Sequence, residues 1–146
     1  MAIRQIACCT DFSENAQEAV MTAIEMAEKY KAHLSIIHVL PPGINPMFAE
    51  AALMLSDEPK ESLLLNLEEQ MQKEYGAKIG EHIKYDLVVL DGHVSTEILQ
   101  HLKENQMDVV VMGSYGLSGM GLVVFGSVAK RITHKAPCSV MIVRKS

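Results

Sequence analysis

The chain is 146 residues long with 49% hydrophobic and 21% charged residues, enough apolar content to fill one core without disulfides or structural metals. Its formal net charge is -5, from 13 basic and 18 acidic residues spread along the chain, which excludes the electrostatic footprint of a duplex nucleic-acid or anionic-membrane binder. No stretch approaches the roughly 18 uninterrupted apolar residues of a membrane span, and the first residues lack a signal peptide's charged start and apolar block, so a single domain over 1–146 in the cytoplasm is expected.

Residues 3–9 (IRQIACC) read as a buried strand ending in a polar ThrAspPheSer turn. Ser13 is placed to cap a helix whose apolar face carries Ala16, Ala19, Val20, Ala23, Ala27 and Tyr30. A second strand, 33–39, is stopped by Pro41, Pro42 and Gly43. Segment 44–59 is ambiguous between a short helix and a connection. Leu63, Leu67, Met71 and Tyr75 then recur every fourth residue, with Gly76 as a candidate helix cap.

A third strand is expected over 83–90, followed by a helix capped by Ser95 and buried through Ile98, Leu99 and Leu102. The run from Asp108 to Gly113 is almost wholly apolar, as a parallel strand covered on both faces should be. A last helix from about Ser127 to His134 leads to a fifth strand, SerValMetIleVal. The alternation βαβαβαβαβ predicts an open five-stranded parallel sheet with helices on both faces.

Ligands of such sheets bind beyond the carboxyl ends of the strands, where strand order reverses. Two such ends carry residues with little structural necessity: Thr10, Asp11 and Ser13 after the first strand, and GSYGLSGMGLVVFGS after the fourth, with five of the nine glycines. Glycine admits close approach of a phosphate to backbone amides, and a helix opening at Ser127 would aim its free N–H groups at that anion. Two common nucleotide loops fail here. Gly121 and Gly126 have P-loop spacing, but Ser127 and Val128 replace its lysine and hydroxyl residue; Gly119 and Gly121 are followed by Val124 where a dinucleotide fingerprint needs glycine.

The spacing that does fit is Gly113-x-x-Gly116, nine residues, then Gly126-Ser127. With ThrAspPheSer, HisValLeu, MetGlySerTyrGly and AlaProCysSerValMetIleVal, it resembles the universal stress protein family, in its ATP-binding branch. The resemblance implies a Rossmann-like sheet of the adenine nucleotide alpha hydrolase type, in the order 3-2-1-4-5. It implies that Asp11 contacts the ribose and lies near the metal-phosphate region, an indirect site for Mg2+ or Mn2+ carried by the nucleotide. Thr10 and Val39 match positions flanking the adenine, with Cys9 in the pocket wall where many members have proline. Met112 and Gly113 match the backbone at the end of strand four, and Gly116, Gly126, Ser127 and Val128 the phosphate cradle. The ligand is then ATP, ADP or AMP.

Three functions follow. The leading one is a nucleotide-dependent stress-response or signalling protein with an unknown signalling partner. A slow ATPase or self-phosphorylating protein, with Asp11 holding metal and Ser114 or Ser127 near the phosphates, needs only positioning and charge neutralisation. A nucleotide-free interaction module is the third. The apolar strand Ser139–Val143 at the sheet edge invites a homodimer, which the resemblance also implies.

The other polar residues read as structural. Cys8, Cys9 and Cys138 lack disulfide or zinc spacing and are expected to be reduced and buried. His33 and His38 face opposite sides of one strand and cannot share a metal. His134 falls in a helix's last turn, where positive charge is favoured. His93 lies in the loop after strand three, and Met47 and Met54 offer a partner face.

Overall fold

The computed structural model describes residues 2–40, 60–114 and 122–145. The strands are β1 (Gln5–Cys9), β2 (His33–Leu40), β3 (Tyr85–Asp91), β4 (Val109–Gly113) and β5 (Ser139–Val143). Between them run α1 (Glu14–Tyr30), α2 (Lys60–Glu74), α3 (Val94–Glu104) and α4 (Leu122–Lys135). All strand pairs are parallel, in the order β3-β2-β1-β4-β5. The expected architecture and strand order are therefore present. The expectation for segment 44–59 and the placement of Gly116 lie outside the described residues.

The sheet is covered on both faces, which is why its central strands read as unbroken apolar runs. Ile6, Cys8, Leu34, Ile36, Val109 and Val111 face α1 and α2. Ala7, Cys9, Ile37, Val39, Val110 and Met112 alternate onto the opposite face, against α3 and α4. Ala16, Ala19, Ala23 and Ala27 of α1 are fully buried, so small side chains let this helix lie close to the sheet. Its start is fixed by Ser13, whose hydroxyl accepts the Ala16 N–H at 3.1 Å. Its end turns at Lys31, in the left-handed region at φ 54°, whose N–H reaches the Ala27 and Glu28 carbonyls. At the amino end of the sheet, Asp108 Oδ2 accepts the N–H groups of Arg4 and Gln5 at 2.8 and 2.9 Å, tying β1 to β4.

Four local expectations are corrected. Tyr30 is exposed, because α1 ends there and the chain turns away at once. Met71 and Tyr75 are buried, whereas Leu63 is exposed and Leu67 half-buried, so α2 meets the core through its carboxyl half. Gly76 is not in the left-handed region: α2 stops at Glu74 and a tight turn over Gly76–Lys78 follows. The N-cap of α3 is His93, and Ser95 is buried in the first turn. The His93 imidazole bonds the Thr96 hydroxyl at 2.9 Å instead of a helix N–H. Among the described residues, no helix is long and apolar enough to cross a membrane.

Candidate functional site

Strand order reverses between β1 and β4: the chain leaves β1 toward β2 and returns to lay β4 on β1's other side. Their carboxyl ends form the crevice in which open parallel sheets hold ligands. The described residues among those predicted from sequence fall in three groups near it.

Cys9, Val39, Met112 and Val128 converge on the face covered by α3 and α4, and all four are buried. Burial, and secondarily Cys138 nearby, pushes the Cys9 thiol up to about 12. It is an apolar wall and not a nucleophile. A ligand at the strand ends would meet the backbone of these residues more than their side chains.

Thr10 and Asp11 form the turn out of β1. Thr10 N–H donates to the Ile37 carbonyl at 2.9 Å, and the Thr10 carbonyl accepts from His38 Nδ1 at 2.9 Å. Its hydroxyl accepts the Phe12 N–H at 3.0 Å and shares a 2.6 Å hydrogen bond with the Tyr75 hydroxyl. Thr10 thus spends its polar groups inside the protein, on the face opposite Cys9. Asp11 Oδ1 accepts the Ser13 N–H at 3.0 Å, holding the turn that presents the cap of α1. One carboxylate oxygen meets that need, and a carboxylate has two.

Gly113 ends β4 under the first turn of α1. A Cβ there would stand 3.0 Å from the Asn15 carbonyl oxygen and 3.1 Å from its carbon, so any side chain would need the first turn of α1 to give by a few tenths of an ångström. A Cβ on Gly126 would stand 3.9 Å from the Ser114 carbonyl oxygen, in ordinary van der Waals contact and the nearest approach among the described residues. The glycine after the long loop therefore packs beside the residue that follows β4.

One expectation about the cradle is corrected. Helix α4 begins at Leu122, not Ser127. The run LeuValValPhe contains no breaker, and an interior glycine at 126 costs a helix only about 1 kcal/mol. An α-helix leaves unpaired only its first four N–H groups, so those of Ser127 and Val128 belong to the helix ladder. Ser127 is exposed, while Val128 packs into the core.

Sequence reasoning missed a cluster beneath the Thr10 turn. Phe12 has φ 65°, uncommon for a bulky residue. Its ring stacks on Tyr75, with centroids 6.0 Å apart and planes 10° off parallel, and lies 4.7 Å from His38. Burial pushes the Tyr75 phenol up to about 12. Because the Thr10 carbonyl can only accept, His38 carries its proton on Nδ1. At the same edge, Lys145 pairs with Glu14 in the first turn of α1. This contact lowers the Glu14 carboxyl and raises the Lys145 amine from their ordinary values. Among the described residues, no group of three or more His, Cys, Asp or Glu side chains could hold a metal ion.

The sequence agrees with this geometry over nearly its full length: the model of the universal stress protein family matches residues 2–144. The chain belongs to the universal stress protein family. A universal stress protein of Methanocaldococcus jannaschii is 30% identical over 150 residues, covering 97% of this chain and 82% of its own. Two solved universal stress proteins share the fold at lower identity. One, from Archaeoglobus fulgidus and in complex with dAMP, has a TM-score of 0.66 at 20% identity, covering 97% and 98% of the two chains. The other, in complex with cAMP, has a TM-score of 0.69 at 21% identity, covering 100% of each.

Proposed function

We propose that this universal stress protein binds an adenine nucleotide, ATP for preference, at the carboxyl ends of β1 and β4 and acts as a nucleotide-dependent stress-response protein in the cytoplasm, as one domain. The observation that carries the reading is the strand-order reversal between β1 and β4, where the Thr10–Asp11 turn, Gly113 and Ser114 come together and Gly126 lies within van der Waals reach of the Ser114 carbonyl, a Cβ on it standing 3.9 Å away. Glycine at 113 and 126 keeps side chains out of this end of the crevice. The cAMP and dAMP complexes of fold neighbours support the same ligand class.

In this reading Cys9, Val39 and Met112 wall the adenine, and Thr10 stiffens the turn from behind. Asp11 holds Ser13 with one oxygen and meets the ribose, or a Mg2+ or Mn2+ ion carried by the nucleotide, with the other. Gly113, Gly116, Gly126 and the Ser127 hydroxyl line the phosphate path, with Val128 anchoring α4 beneath them. A bound metal would neutralise phosphate charge.

Heat-denaturing the purified protein and chromatographing the supernatant tests this. Released AMP, ADP or ATP is expected. No released nucleotide, together with no heat of binding on adding ATP or AMP, would overturn the reading. Phosphate release above that of Asp11→Ala would add turnover to binding.

A further inference from the structure

A second cavity, of about 700 Å³, opens at the amino ends of β1, β2 and β3, the end of the sheet away from the proposed nucleotide site. The eight residues of β2 put roughly 23 Å between the two ends. The cavity is built from three strand entries laid side by side. The Arg4 carbonyl accepts the His33 N–H at 2.9 Å, and the Lys84 carbonyl accepts the Leu34 N–H at 3.0 Å. The last turn of α1 closes it from above.

Its lining concentrates positive charge in a chain whose net charge is negative. Arg4, Lys31 and Lys84 contribute three permanent cations, and His33 and His82 stand beside them. Glu28 is the one carboxylate among the lining residues, and His82 Nε2 lies 3.4 Å from it. Two further carboxylates lie close by, hydrogen-bonded to the protein and still charged. Asp86 accepts from the Ser35 hydroxyl at 2.6 Å and pairs with His33 Nε2 at 3.3 Å; Asp108 takes two backbone N–H groups.

The carboxyl end of α1 would repel an anion if its carbonyls were bare. The N–H groups of Lys31 and Ala32 cover the Ala27 and Glu28 carbonyls. His33 Nδ1 is buried with no hydrogen-bond partner among the described residues, the kind of orphan that an occupant or a bridging water satisfies. Tyr30 and Ile83 add apolar wall. The volume falls in the range of small-molecule sites.

We infer that this cavity is a second, separate site, for a small organic molecule carrying a phosphate or pyrophosphate group. Within the lining itself three cations stand against one carboxylate, the local excess a phosphate would meet, while Asp86 and Asp108 keep their charges behind it. Arginine and lysine supply the donors such a group takes.

The test is a titration of the full-length protein with sodium pyrophosphate, followed by amide NMR shifts. Saturable shifts at residues 4, 31–33 and 82–84 are expected. The double variant Arg4→Ala/Lys84→Ala changes two exposed side chains; its dissociation constant should rise at least tenfold while its circular dichroism matches wild type. Shifts confined to residues 10–15 and 113–114 would place the anion at the nucleotide edge and overturn the inference. Absence of saturable shifts, or equal affinity in the folded double variant, would do the same. If the double variant fails to fold, the wild-type shift map alone decides.

Discussion

At Gly113 an added methyl would press on the Asn15 backbone at 3.0 Å, and backbone gives way only if α1 moves. Gly113→Ala should therefore cost about 1–3 kcal/mol in urea unfolding, as overpacking does. A wild-type midpoint would mean that α1 does not sit where the structure puts it. Tyr75 makes a different argument. Its hydroxyl ties α2 to the Thr10 turn, so Tyr75→Phe should lose about 1 kcal/mol.

Burial raises Tyr75 from 10.0 to about 12, and burial with Cys138 raises Cys9 from 9.0 to about 12. Both groups hold protons more tightly in the folded chain than in the unfolded one. Their contribution to stability is whole below about pH 9 and is lost as pH rises toward 12. Urea midpoints should fall from about pH 8 to about pH 11, less steeply in Tyr75→Phe. Identical slopes in the two proteins would contradict the assignment.

Among the elements, the two helix starts at the site separate what composition reveals from what packing decides. Ser13 was legible as a cap because a polar turn precedes an alanine-rich periodic run, and its hydroxyl does accept the Ala16 N–H. Ser13→Ala should cost about 1 kcal/mol. Ser127 reads as a cap because a glycine precedes it and Val128, Arg131 and Ile132 follow at helical spacing. The helix instead runs through Gly126 from Leu122. Gly126→Ala distinguishes these two starts. In a helix interior where its methyl would make only an ordinary van der Waals contact with the Ser114 carbonyl at 3.9 Å, alanine should stabilise the protein by about 0.5–1 kcal/mol, while the added methyl weakens nucleotide binding. Destabilisation would move the helix start back to Ser127.

The sheet was readable because β1, β2 and β4 are buried on both faces and so leave apolar runs in the sequence. The cluster of Phe12, His38 and Tyr75 was not readable. Its members stand on a turn, a strand and a helix end that only the fold brings together, and nothing local marks Phe12 for a positive φ. The N-cap of α3 stands two residues before Ser95, at His93, whose imidazole bonds the Thr96 hydroxyl and caps no helix N–H, so the Ser rule for caps misplaced this start.

On the scale of the whole molecule, β5 closes the sheet beside β4 and exposes Met141 and Ile142. An apolar edge strand invites pairing with a second copy, and we expect a homodimer through Ser139–Val143. Light scattering at micromolar concentration should give a dimer for wild type and a monomer for Met141→Lys/Ile142→Lys. A monomeric wild type would remove the dimer from the account. The proposed nucleotide and phosphate sites then lie at opposite ends of each sheet, and a protein built this way can read two small molecules at once.

Calorimetric titration of ATP into wild type and Gly116→Val tests the central claim most directly. The account predicts saturable, submillimolar binding to wild type and none to the variant, which changes a glycine that the family resemblance assigns to the phosphate cradle. Failure of wild type to bind would contradict the nucleotide reading, and equal affinity in both would contradict the part given to the loop.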